Sequence, residues 1–168
     1  MQHQMQQCFQ IRAAVPAEDA LIAHHFYQMW LDNQIAEESI APDWLEITLE
    51  FIQQARHTLG YQAFVAEVEG RVVGSAGGQR FAGLYPRVIK TCDRCDGYIW
   101  GVYVEPAHRG RGIATQLTQQ LMAYLRTIGC THAVLNASPS GKPVYARLGF
   151  MEGNLMRLDL QQQNVNLH

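Results

Sequence analysis

A short segment with two glycines and two arginines carries the residue types that bind phosphate. Residues 109–115 read R-G-R-G-I-A-T and lie between an apolar run at 98–104 and an amphipathic run at 113–128. The amphipathic run has apolar side chains at helical spacing: Ile113, Leu117, Leu121 and Leu125. The glycines therefore lie at a helix N-terminus, where free N–H groups bind anions and a missing side chain lets phosphate approach the backbone. We predict a pyrophosphate site here, with Arg109 and Arg111 as charge-assisted donors.

Two common nucleotide-binding loops do not fit this segment. A dinucleotide-binding loop would have a third glycine where the chain has Thr115, and an acidic residue about 20 positions later. The strand predicted in that region has His132 and Asn136 instead. A P-loop would need the tripeptide Gly-Lys-Ser/Thr, which the sequence lacks. The segment therefore favours another kind of phosphate-bearing ligand.

The segment resembles the acetyl-CoA motif of the N-acetyltransferase (GNAT) superfamily, R/Q-x-x-G-x-G/A, which residues 109–114 match. The family's usual lead-in, V-x-V-x-P-x-x-R, is matched by residues 102–109, and its later Y-x-x-x-G-F element by residues 145–150. Order and spacing agree over roughly the second half of the chain. The resemblance implies an enzyme that uses acetyl-CoA as co-substrate. Such an enzyme would acetylate a primary amine of a small molecule or peptide by direct attack in a ternary complex.

The resemblance also assigns residues to the cofactor site. The matching positions are Val102, Tyr103, Val104, Arg109, Gly110, Arg111, Gly112, Ile113, Ala114, Thr115, Asn136 and Tyr145. The strand at 98–104 would bind the pantetheine arm through its backbone, with the Val102 N–H as a candidate oxyanion donor. Gly101 within this strand predicts a β-bulge or a close backbone approach. Asn136 either binds a pantetheine amide or caps the Ser-Pro turn that follows it.

Three residues are candidates for proton transfer: Tyr145, Asp96 and Glu105. Tyr145 matches the family's general acid, since a phenol with a reference pKa of about 10 stays protonated at neutral pH and can donate to a thiolate of reference pKa about 8.5. The alternative for Tyr145 is a core aromatic on a short helix. Asp96 lies where histone-acetylating relatives carry a glutamate before the strand, and Glu105 lies at the far end, so both are candidate bases. A solvated loop position for Asp96 is the favoured alternative, with water alone as base.

The pattern of the whole chain predicts the order β-α-α-β-β-β-α-β-α-β in a single domain, residues 1–168. Strands are predicted at 8–15, 61–68, 71–80, 98–104, 131–136 and 150–160, and helices from Pro16, from Pro42 to Gly60, at 113–128 and at 143–148. Glu69-Gly70 predicts a tight hairpin. The resemblance implies an α/β fold with a mixed central sheet of about six to seven strands flanked by about four helices. Residues 1–7 and 161–168 are predicted to be flexible.

Composition narrows the classes of function. The formal net charge is −2 and no basic stripe is present, so we expect no binding to nucleic acid. No run of about 18 apolar residues and no secretory signal is visible, which predicts a cytoplasmic protein without membrane attachment. Cys92 and Cys95 form a lone C-x-x-C without a second pair, so we predict neither a metal site nor a redox site.

The sequence does not define the acceptor. Five aromatic residues are candidates for lining its pocket, although most such residues belong to a core: Tyr27, Trp30, Trp44, Tyr85 and Trp100. Two alternatives to acetyl transfer stay open, namely a non-catalytic module that binds or senses acyl-CoA and a transferase that uses a longer acyl-CoA. A homodimer is also consistent with the resemblance.

Overall fold

A mixed sheet of five strands in chain order forms the centre of the protein, in a computed structural model that describes residues 8–83 and 88–160. The strands are β1 (Gln10–Ala13), β2 (Gln62–Val68), β3 (Arg71–Arg80), β4 (Asp96–Val104) and β5 (His132–Val134). The helices are α1 (Asp19–Asp32), α2 (Trp44–Thr58), α3 (Ile113–Thr127) and α4 (Lys142–Arg147). The first three neighbouring strand pairs are antiparallel, and β4 pairs with β5 in parallel. The predicted α/β class is confirmed.

Helices cover both faces of the sheet, and each layer has its own core. The core under α3 includes Val73, Ile99, Leu117, Leu121 and Leu125. The core under α1 and α2 includes Ile22, Ile52, Ala55, Tyr61 and Ala63. Two neighbouring glycines of β3 show how closely the layers approach. A Cβ on Gly77 would lie 2.9 Å from the Tyr61 ring, and one on Gly78 would lie 3.1 Å from Leu121 on the opposite face.

Glycines also set the boundaries of two elements. Glu69 and Gly70 have φ values of 51° and 79°, which is the pattern of a type I′ turn and confirms the hairpin between β2 and β3. Gly129, with φ of 86°, follows the end of α3. Its N–H donates to Arg126 O (3.1 Å) and the Cys130 N–H donates to Leu125 O (3.0 Å), which is a Schellman motif.

The strand count is lower than predicted, at five in the described residues instead of six to seven. The predicted last strand at 150–160 is wrong, because residues 151–160 have irregular backbone and do not join the sheet. Their large apolar side chains are exposed: Met151, Leu155, Met156, Leu158 and Leu160. An alternating pattern forms a strand only where a sheet edge offers free backbone groups. β5 ends at Val134 and not at residue 136, so the edge beside it is short.

The predicted loop position of Asp96 is also wrong. Asp96 is the first residue of β4, lies opposite His132 of β5 and is only 7% exposed. β4 begins earlier than the apolar run suggests, because pairing with β3 and β5 extends it to residues 96 and 97.

None of the helices in residues 8–83 and 88–160 combines the length and the apolar character that a membrane-spanning helix needs.

Candidate active site

A cleft opens where two parallel strands separate. β4 and β5 are paired only from Asp96 opposite His132 to Tyr98 opposite Val134, while β4 continues to Val104. Beyond Tyr98 the backbone of β4 has no strand beside it on this side within the described residues. The resulting cleft has a volume of about 1550 Å³ and is lined by β4, the loop after β4, α4 and the ends of α1 and α2.

β4 contains a bulge at the mouth of this cleft. Trp100 lies opposite Gly77 and Tyr103 opposite Ser75, so two residues of β4, Gly101 and Val102, face one residue of β3. Gly101 has φ of 63°, which favours glycine. The bulge predicted at Gly101 is therefore confirmed. A bulge leaves backbone polar groups outside the ladder, and both of its residues line the cleft.

The glycine loop lies at the N-terminus of α3 and lines the same cleft. Gly110 and Gly112 have φ values of 74° and 81°, and a Cβ added at either would meet no atom within 4 Å. The backbone conformation requires glycine here, and the space above the loop stays open. The first helical hydrogen bond runs from Gln116 N to Gly112 O (3.1 Å), so the preceding N–H groups have no helical acceptor. This arrangement fits a pyrophosphate.

Arg109 connects this loop to the strand and to α1. Its Nε donates to Val104 O (2.8 Å), its Nη2 donates to Asp32 (2.5 Å) and its guanidinium lies 5.6 Å from the centre of the Tyr103 ring. Arg111 Nη1 lies 2.9 Å from His108 Nδ1. Arg109 thus holds the loop against β4. Its direct contact with a phosphate stays a prediction.

Tyr145 lies on α4 and lines the cleft, as the general-acid role requires. Its ring packs edge-on against Phe150 at 5.8 Å. Burial raises the pKa of Tyr145 above the usual tyrosine value, because a buried phenolate loses hydration. The group is therefore protonated at neutral pH and can donate a proton into the cleft.

Asn136 also lines the cleft, where β5 has ended. Its Nδ2 donates to the Tyr98 hydroxyl (3.1 Å). The following turn is capped by Ser138, whose Oγ accepts from Gly141 N (3.2 Å). The contacts of Asn136 therefore differ from those of a turn cap, and its side-chain oxygen is an available type of acceptor for an amide.

The two predicted carboxylate bases lie outside the cleft lining. Asp96 is bound by Arg94 (3.2 Å) at the opposite end of β4, and Glu105 is bound by Arg71. Asp32 is the one carboxylate among the described residues that line the cleft. The sequence analysis did not predict it there. Its position at the last residue of α1 carries no motif, so only the packing of α1 against β4 brings it to Arg109.

The aromatic residues predicted near the acceptor divide into three groups. Trp30 and Trp100 line the cleft. Tyr27 and Trp44 stack on each other at 4.4 Å and are outside its lining. Tyr85 lies outside the described residues. Sequence reasoning missed Phe26 and Phe51, which also line the cleft; Phe26 lies four positions before Trp30, on the same side of α1.

The cysteines are free thiols in the described residues, with Cys92 exposed and Cys95 half-buried. In that part of the chain, His, Cys, Asp and Glu side chains form no group of three or more that could hold a metal ion.

Comparisons with known proteins agree with this geometry. The model of the acetyltransferase (GNAT) family matches residues 23–150. A glucosamine 6-phosphate N-acetyltransferase of Trypanosoma brucei brucei is 32% identical over 123 residues, which cover 71% of this chain and 80% of that protein. A predicted acetyltransferase of Clostridium acetobutylicum, solved with acetyl-CoA, has a TM-score of 0.75 at 24% identity, covering 94% and 100% of the two chains. A GCN5-related N-acetyltransferase of Ralstonia eutropha has a TM-score of 0.78 at 22% identity, covering 92% and 99%.

Proposed function

The chain belongs to the acetyltransferase (GNAT) family and is an acyltransferase, and from this premise we propose that it transfers acetyl from acetyl-CoA to a primary amine by direct attack in a ternary complex. One observation carries the proposal: the glycine loop, the Gly101 bulge and Tyr145 all line one continuous cleft. When bound, acetyl-CoA supplies an activated acetyl thioester.

The backbone of the chain does most of the binding in this proposal. The N–H groups of residues 112–115 hold the pyrophosphate, supported by the positive end of the α3 dipole. The bulged part of β4, from Val102 to Val104, offers backbone donors and acceptors to the pantetheine arm. The Val102 N–H is the donor we assign to the acyl oxygen as it gains negative charge. Asn136 accepts from an amide of the same arm.

Two proton movements are required. The amine loses a proton before it attacks, since an aliphatic ammonium has a reference pKa of about 10.4. Asp32 is held by Arg109, so we assign this step to water. The sulfur takes up a proton as it leaves, and we assign that proton to the Tyr145 hydroxyl, which burial keeps protonated.

The test is CoA release by the full chain, measured with a thiol reagent against a panel of amines. The panel contains glucosamine 6-phosphate, because a relative is named for it, with a polyamine, an aminoglycoside, a peptide and simple alkyl and aromatic amines. Acetyl-, propionyl- and octanoyl-CoA are compared as donors. We expect amine-dependent release with acetyl-CoA and at least one amine, above the hydrolysis seen without amine.

Tight acetyl-CoA binding by calorimetry, without release to any amine, would favour the non-catalytic module and refute the proposal. A preference for octanoyl-CoA would keep the enzyme and change the donor. A homodimer, a cytoplasmic location and the absence of nucleic-acid binding stay predictions. Light scattering would decide the first of these.

A further inference from the structure

Four aromatic side chains form one surface of the cleft beside the bulge: Phe26, Trp30, Phe51 and Trp100. We call this surface the aromatic wall. Phe26 contacts Trp30 and Trp100 edge-on, with ring centres 5.7 and 5.0 Å apart, and Phe51 contacts Trp100 at 5.6 Å. Trp30 and Phe51 remain 40% and 43% exposed although they are large and apolar. Exposed aromatic surface inside a cleft is a common feature of ligand sites.

Contacts behind the wall hold Trp100 in place. Its Nε1 donates to Gln79 Oε1 (2.7 Å), and Gln79 is only 3% exposed. The buried Tyr61 ring lies 5.8 Å from the Trp100 ring. The indole is therefore fixed before any ligand binds, which lowers the entropy cost of binding against it.

The wall lies directly beside the predicted position of the acetyl group. Trp100 immediately precedes Gly101 of the bulge, and a Cβ on Gly101 would lie 3.6 Å from Phe26 Cδ2. A ligand that packs on the wall would therefore reach the bulge with a group only a few atoms away.

The two helices that carry most of the wall contribute one carboxylate, Asp32, and no lysine or arginine to the cleft lining. From Ala13 to Ala55, a stretch that contains α1 and most of α2, the sequence has no lysine or arginine and holds more than half of the chain's 15 acidic residues. The cationic residues that line the cleft, Arg109, Arg147 and Arg157, come from other segments. A phosphate on this side of the cleft would lose water without gaining a lysine or arginine from the lining residues of α1 or α2.

We propose that the acceptor is a cationic primary amine with an aromatic or bulky apolar group, and that this group packs on the aromatic wall. The inference rests on the proposed function and narrows its acceptor. In the reaction, the ammonium loses one proton to water and its nitrogen bonds to the acetyl carbon. The C–S bond then breaks, the nitrogen loses a second proton, and the sulfur gains one to form the CoA thiol. The products are an N-acetyl amine, CoA and one proton.

The experiment compares kcat/KM for 2-phenylethylamine, ethylamine and the phosphorylated amino sugar of the panel, with the full chain and acetyl-CoA. We expect 2-phenylethylamine to exceed both by about tenfold or more. Phe51→Ala and, separately, Trp30→Ala should lower kcat/KM for 2-phenylethylamine about tenfold more than for ethylamine. Leu21→Ala removes an exposed apolar side chain of α1 outside the cleft and should change neither. Thermal unfolding checks that each variant is folded.

Each result decides between the two proposals. A higher kcat/KM for the phosphorylated amino sugar or ethylamine, or an equal loss with both amines in the folded wall variants, would overturn the inference and leave the acetyltransferase proposal intact. No CoA release with any amine would overturn the proposed function, and this inference with it.

Discussion

The side chain of Arg109 donates a hydrogen bond to the carbonyl oxygen of Val104, with Nε and O 2.8 Å apart. This bond ties the first residue of the glycine loop to the last residue of β4. The same guanidinium binds Asp32 at the end of α1. The glycine loop, the central strand and the first helix are thus held in one arrangement by a single side chain.

Replacing Arg109 should therefore loosen the glycine loop. We expect Arg109→Ala to raise the Kd for acetyl-CoA about tenfold, since hydrogen bonds from a charged donor typically contribute more than neutral ones. Isothermal calorimetry measures this Kd. Arg126→Ala, an exposed arginine in the last turn of α3, is the matched control and should leave it unchanged. An unchanged Kd in Arg109→Ala would contradict the positioning role.

Two glycines lie at the two ends of α3, and substitutions there separate the cost of backbone strain from the loss of acetyl-CoA binding. Gly112 and Gly129 have φ values of 81° and 86°, and a Cβ at either would meet no atom within 4 Å. Alanine at each position should destabilise the fold by a similar amount, about 1–2 kcal/mol, because both positions require the left-handed region. Only Gly112→Ala should also weaken acetyl-CoA binding. Urea unfolding and calorimetry measure the two effects, and equal Kd values would argue against the N-terminal pyrophosphate site.

Removing the phenolic proton should slow the chemical step. We expect Tyr145→Phe to lower kcat about 100-fold with little change in acetyl-CoA affinity, which is typical of a lost general acid. Tyr27→Phe makes the same chemical change outside the cleft lining and is the control. An unchanged kcat would exclude the acid role.

The pH dependence of kcat gives a second measurement on Tyr145. Burial raises its pKa, so the acid loses its proton at a higher pH than an exposed tyrosine. Any fall in the wild-type rate that comes from this group should therefore begin at a higher pH than an exposed tyrosine would cause. A decline at lower pH that disappears in Tyr145→Phe would contradict the raised pKa.

A buried histidine should make stability depend on pH. His25 is 8% exposed, its Nδ1 lies 2.8 Å from Ser75 Oγ, and burial lowers its pKa, with Glu105 opposing this effect and His24 adding to it. The unfolded chain therefore binds a proton more readily than the folded chain. The stabilising contribution of neutral His25 is present above the unfolded-state pKa of about 6.5. It is lost as the pH falls through the pKa of His25 in the folded chain.

Urea unfolding at pH 7.5 and 5.5 tests this. The free energy of unfolding should fall less from pH 7.5 to pH 5.5 in His25→Gln than in the wild type. His24→Gln, at the exposed neighbouring position, removes a smaller influence on His25 than burial and should keep most of the wild-type difference. An equal pH dependence in all three proteins would refute the role of His25.

Local patterns were sufficient for several features of the site. The bounds of β3 were predicted without error, and the two ends of α3 to within one residue, because glycine, hydrophobic spacing and helix caps act over a few residues. The bulge at Gly101 was predicted for the same reason. The strand predicted at 150–160 was wrong because an alternating pattern does not reveal whether a sheet edge is available. The predicted loop position of Asp96 was wrong because its burial depends on β5, which lies far along the chain.

The sequence by itself determined the glycine loop before α3, the bulge at Gly101 and the short helix that carries Tyr145, since each depends on residue types at short, characteristic spacing. Only the tertiary structure decided that Asp32 meets Arg109, that Asp96 is buried outside the cleft lining, and that four aromatic side chains form one surface, namely Phe26, Trp30, Phe51 and Trp100. These contacts join residues up to 77 positions apart. They depend on how α1 and α2 pack over β4, which no local pattern specifies.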